Sequence, residues 1–116
     1  MIELAQLEEM FAGIAAGPNW DMSKPMLWGY FFTDTSRKKL ESAVPALVER
    51  GCRFVDIFEP ELDAGQAPYF FLHVECEEAH SPASLFERNE GFYALAERLG
   101  LTSYDGMDVG PIVSES

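Results

Sequence analysis

Basic residues are scarce in this sequence: eight lysines and arginines stand against twenty aspartates and glutamates, a formal net charge of −12 over 116 residues. Nucleic-acid phosphates need Lys and Arg to displace their counterions, and anionic membranes attract polybasic segments, so neither is an expected partner. The scarcity is also local. Arg37, Lys38, Lys39, Arg50 and Arg53 lie in one stretch, while residues 54–87 contain no Lys or Arg. In that stretch Asp56, Glu59, Glu61, Asp63, Glu75, Glu77, Glu78 and Glu87 accumulate. Such a surface is soluble and steers toward a basic partner.

Long apolar runs are missing as well; none approaches the roughly 20 residues of a membrane span. Residues 1–10 carry three glutamates and no Lys or Arg, whereas a secretory signal begins basic. A soluble, cytoplasmic protein is therefore expected. Cysteine is limited to Cys52 and Cys76, outside any C-x-x-C spacing. They are expected to be reduced, small core residues. No repeat, low-complexity segment or phosphate-cradling glycine loop is present.

What remains is an ordinary globular composition, 47% hydrophobic and 24% charged, enough for one core in one domain. Leu4, Leu7, Phe11 and Ile14 recur at helical spacing over residues 1–16, and Gly17 and Pro18 end that helix. Residues 26–33 read as a buried strand. Asp34 or Thr35 is the expected cap of a second helix burying Leu40, Val44, Leu47 and Val48, with a kink at Pro45 and a stop at Gly51. Strand 53–59 alternates, with Val55 and Ile57 on one side and Phe54, Asp56 and Phe58 on the other. After a turn over 60–68, strand 69–77 follows. Ser81-Pro82 opens a third helix that buries Leu85, Phe92, Leu95, Ala96 and Leu99 and stops at Gly100. A last strand spans 101–109, interrupted at Asp105-Gly106.

The order after the first helix is β-α-β-β-α-β. It implies an α+β, ferredoxin-like sandwich: a four-stranded antiparallel sheet with two helices on one face and strands one and three central. Residues 1–25 form an added N-terminal helix and loop packed on the domain, and 26–112 the domain itself. With Phe70, Leu72, Val74 and Cys76 facing the helices, Tyr69, Phe71 and His73 face away. The matching outward set on the first strand is Trp28, Tyr30 and Phe32. So large an aromatic patch needs a cover, either the N-terminal helix or a self-association contact such as a homodimer through the sheet face.

Chemistry is hard to find. His73 and Cys76, three apart on a strand, point to opposite faces, and His80 lies in the following loop, so no metal site is expected. No serine, cysteine or histidine has the spacing of a nucleophile and its base. No catalytic residue and no cofactor are expected. Exposed aromatics on central strands also suit single-stranded RNA, but these strands contribute glutamates where that module needs cations.

The series His80, Leu85, Asn89, Phe92, Leu95-Ala96, Leu99-Gly100 and Tyr104-Asp105-Gly106, with Tyr30-Phe31-Phe32-Thr33 on the first strand, resembles the RraB-like family, the regulators of ribonuclease E activity of type B. The similarity covers residues 26–112, with Met107 where that family carries tryptophan. The resemblance implies a bacterial, non-catalytic inhibitor that binds a basic endonuclease and modulates RNA decay, with no direct contact to nucleic acid or membrane. Candidate partner-binding residues are Glu59, Glu61 and Asp63 on the turn, Asp105 and Asp108 near the signature, and the aromatics Tyr104, Trp28, Tyr30 and Phe71. An acidic antidote or adaptor against another basic partner, such as a toxin, remains the alternative.

Overall fold

Period-two alternation and helix-capping chemistry divide the described residues into seven elements. The computed structural model describes residues 2–17, 23–61, 64–65 and 67–112. They are α1 (Leu4–Ala15), β1 (Met26–Asp34), α2 (Arg37–Glu49), β2 (Arg53–Phe58), β3 (Phe70–Glu78), α3 (Pro82–Leu99) and β4 (Ser103–Gly110). The class is α+β, with three helices and one antiparallel sheet in the order β2-β3-β1-β4, so that β1 and β3 are central as expected. Among the described residues, no helix is long and apolar enough to cross a membrane.

Local signals set the helix limits. Ser81 caps α3 by accepting from Ser84 N at 3.1 Å, and Ser84 Oγ accepts from Ser81 N at 2.8 Å. Gly100, at φ 70°, closes the helix in the left-handed conformation that a Cβ would penalise. The cap of α2 differs from expectation. Ser36, not Asp34 or Thr35, takes the cap position and accepts from Lys39 N. Asp34 ends β1 instead, where its buried carboxylate accepts from Ser36 N, Thr102 N and Thr102 Oγ1. Leu40, Ala43 and Leu47 are buried, whereas Val48 is left exposed.

The larger correction concerns parity on β1. The sequence pattern places Trp28, Tyr30 and Phe32 on the open face; in the structure all three are fully buried beneath the helices. The register pairs them with Cys76, Val74 and Leu72, and directly paired residues share a face. Both faces of β1 carry aromatics, so hydrophobicity alone does not choose between them. The alternate set Leu27, Gly29, Phe31 and Thr33 contains the one residue without a side chain, and the bulkier set fills the core. The helix α1 lies with the other helices: Phe11 stacks on Trp28 at 6.1 Å and Ile2 N donates to Tyr93 Oη. It therefore does not cover the open face.

Two bulges adjust the edges. Val55 is passed over between the pairs Phe54↔Val74 and Asp56↔His73, which separates it from Ile57, the one buried residue of β2. On β4, Asp105 is passed over between Phe31↔Gly106 and Phe32↔Tyr104, so the expected interruption is a bulge within a continuous strand.

Cys52 and Cys76, expected as free thiols, form a disulfide between buried positions at the start of β2 and on β3. It closes a loop with a sequence separation of 24, for which chain-entropy reasoning gives about 3.5 kcal/mol. Urea unfolding with and without a thiol reductant is expected to show a loss of that order. Equal midpoints would contradict it.

Candidate functional site

The face of the sheet turned away from the helices carries a row of rings. Phe58 on β2 stacks on Phe71 of β3 at 5.5 Å, Tyr69 packs against Phe71 at 5.6 Å, and Phe31 on β1 meets Phe71 edge-on at 6.5 Å. His73 lies parallel to Phe31 at 4.5 Å. Strand register aligns them, since Phe58↔Phe71 and Phe31↔His73 are cross-strand pairs. Carboxylates surround the row: Asp56 beside His73, Glu75 and Glu77 further along β3, and Asp108 opposite Gly29. Among the described residues, Arg53 is the cation of this face, held by Glu75 at 2.8 Å; that partner raises its pKa further. The combination offers flat apolar area with negative charge around it, suited to a basic partner with aliphatic or aromatic anchors.

The sequence candidates scatter over this frame. Phe71 belongs to the open face, as expected, and Asp108 joins it from β4. Glu59 and Glu61 are exposed just beyond Phe58, at the end of β2. Asp63 lies outside the described residues. Asp105 is exposed at the β4 bulge. Trp28, Tyr30 and Tyr104 are not surface anchors; all are buried in the core. Tyr104 donates its hydroxyl to Asn89 Oδ1 and packs on Phe32, Phe92 and Tyr93. Burial, then the neighbouring Tyr93, raises its phenol well above the ordinary range. Phe31 and Phe58, which do line the face, were outside the candidate set because their partners depend on register.

A second polar cluster, on the helix side, was not anticipated. Tyr30 Oη donates to Glu78 Oε2 at 2.7 Å, His80 Nε2 hydrogen-bonds the same oxygen, and Arg88 Nη2 reaches Glu78 Oε1 at 3.0 Å. Burial raises the Tyr30 phenol, and Glu78 raises it further. For Glu78 itself burial acts upward, yet hydrogen bonds from His80 and Tyr30 and the Arg88 charge hold its carboxyl below the ordinary value. Ser84 Oγ stands 2.9 Å from His80 Nδ1, which brings a serine, a histidine and a carboxylate into one chain. That hydroxyl is already engaged in the α3 capping box and within 3.2 Å of Ser81 O. It fixes the helix start and orients the imidazole. Arg88, Glu78 and His80 thus clamp α3 to the end of β3 and to β1, beside a cavity of about 360 Å³. One signal was legible: extending the inward parity of Leu72, Val74 and Cys76 places Glu78 on the core side.

His80, Asn89 and Tyr104 belong to the sequence pattern noted above, and in the structure they serve this interior network and the Tyr104–Asn89 pair. No curated protein matches the chain. A family model described as "Regulator of ribonuclease activity B" matches residues 4–109, from the first turn of α1 into β4. Its members are regulators of ribonuclease activity. With nearly the whole described fold inside that match, the chain belongs to the regulator of ribonuclease activity B family.

Proposed function

We propose that this chain is a non-catalytic regulator that docks the open face of its sheet on a basic segment of a ribonuclease E-type endonuclease. The observation that carries this is the aromatic row of Phe31, Phe58 and Phe71 bordered by Asp56, Glu75, Glu77 and Asp108. An enzyme that holds RNA must present cations, and these carboxylates complement them while the rings supply contact area. The β2-β3-β1-β4 order with helices on one side supports reading the domain as a ferredoxin-like sandwich with its free face available. Single-stranded RNA also favours exposed rings, but the bordering carboxylates repel its phosphates. An antidote for a toxin with a comparable basic surface would use the same chemistry.

Binding of the purified endonuclease, measured by calorimetry at low salt, tests the proposal. Phe71→Ala and the charge reversals Asp56→Lys, Glu59→Lys and Glu61→Lys are each expected to weaken it by about tenfold, or 1.4 kcal/mol. Thermal midpoints of the three charge reversals should move little, since Asp56, Glu59 and Glu61 are exposed. Rising salt should weaken the wild-type complex. Unchanged affinity in the Phe71→Ala and Asp56→Lys variants would overturn the docking face. So would a homodimer, seen by ultracentrifugation, that Phe71→Ala dissociates.

A further inference from the structure

Gly29 lies in the middle of the central strand β1, paired with Glu75 on one side and Asp108 on the other. Glycine weakens a strand interior, and its usual reason there is a close approach over the backbone. Here a Cβ would collide with Asp108 Oδ1 and, at 2.9 Å, would meet His73 Nε2. Both side chains therefore lean over a position that only glycine leaves vacant. Around it is a recess of about 220 Å³, bordered by Leu27, His73, Glu75, Asp108 and the Val109–Gly110 segment of β4. His73 is held in place by stacking on Phe31, and its Nε2 is 3.9 Å from Glu75 Oε1. Asp108 makes no ion pair among the described residues, and Arg53 meets Glu75 through its other oxygen. Among the described residues no group of His, Cys, Asp and Glu is arranged to hold a metal ion.

We infer that this recess is a socket for one arginine side chain of a protein partner. This rests on the open face being the docking surface and names the chemistry that the face reads. Leu27 takes the aliphatic stem, since Val109 pairs with buried Trp28 and packs on the core side. The planar guanidinium lies between the Asp108 and Glu75 carboxylates, with the fixed imidazole rim beside it. An arginine fork can address two carboxylates at once, whereas an ammonium addresses them as a point charge. Gly29 is a specificity-determining position, because any side chain there displaces Asp108 and His73 and fills the floor.

The test is an amide-resolved NMR titration of the full chain with N-acetylarginine amide. N-acetyllysine amide and the neutral isostere N-acetylcitrulline amide serve as controls. Saturable shifts centred on Gly29, His73 and Asp108 are expected, with a dissociation constant on the order of millimolar. Citrulline should bind at least tenfold more weakly, and lysine several-fold more weakly. Gly29→Ala retains every carboxylate and the net charge. A general acidic attraction predicts no effect from it, whereas the socket predicts at least a tenfold loss. Asp108→Asn removes one of the two socket carboxylates without touching the backbone, and the socket predicts a loss there as well. Shifts that fail to saturate, or that both variants leave unchanged, would overturn the socket. Phe71→Ala tested against the endonuclease judges the docking face separately. Arginine binding in the recess, with no effect of Phe71→Ala on the endonuclease, would retain the socket and reject that face.

Discussion

Trp28→Ala is expected to lower the free energy of unfolding by about 3–5 kcal/mol, a large part of the ~5–15 kcal/mol that holds a domain of this size. The indole is fully buried, stacked on Phe11 and set edge-on to His80 at 5.2 Å. Its Nε1 donates to Glu78 O at 3.0 Å, so truncation leaves a cavity and deprives that carbonyl of a donor. Because the ring joins α1, β1 and the loop after β3, the loss falls on global stability. Urea denaturation checks this. A midpoint close to wild type, with weakened partner binding, would return Trp28 to the surface role that its sequence position suggested.

Arg88→Met is expected to cost about 2–4 kcal/mol. Breaking a buried ion pair costs about 3–5 kcal/mol, and a fifth of each side chain remains in solvent, which screens part of it. Besides Glu78, Arg88 Nη2 reaches Arg50 O at 2.9 Å and both sulfurs of the disulfide, and its guanidinium covers the Phe92 ring at 4.8 Å. The double variant Arg88→Met, Glu78→Gln should recover part of the loss, because the uncompensated carboxylate is then gone. The pH dependence has a definite sign. The folded carboxyl of Glu78 titrates below its ordinary value of 4.5. Its contribution is therefore complete above that value and disappears as pH falls through the lower folded one. Without Arg88 the folded value rises, so acid unfolding followed by circular dichroism should begin at higher pH in Arg88→Met. An unchanged acid midpoint would contradict the pairing.

The order of elements was legible because each is marked locally. Examples are Ser81-Pro82 and Gly100 around α3, and the alternation of residues 70–76 in β3. The polar cluster was mostly hidden, since Tyr30, Glu78, His80 and Arg88 come from β1, β3, a loop and α3. No sequence spacing relates them. The disulfide was hidden for the same reason: strand register, not motif, sets Cys52 beside Cys76. On the open face of the sheet, the sequence pattern placed Phe71 correctly, while of the candidate acids only Asp108 lies beside the ring row. The pattern misplaced the ring partners, because Trp28, Tyr30 and Phe32 are as aromatic as a docking surface would be.

By itself, then, the sequence determined the acidity, the α+β class, the central place of β1 and β3, and the family resemblance. The acidity and the α+β class follow from composition, periodicity and capping, which are properties of short segments; the central pair follows from the crossover rule, and the resemblance from its own residue series. The tertiary structure alone decided which side of β1 faces water. In a strand with apolar residues on both faces, one shift of register exchanges them, and only packing against the helices fixes the choice. That choice put Trp28 and Tyr30 in the core, and Phe31 and Gly29 on the open face of the sheet.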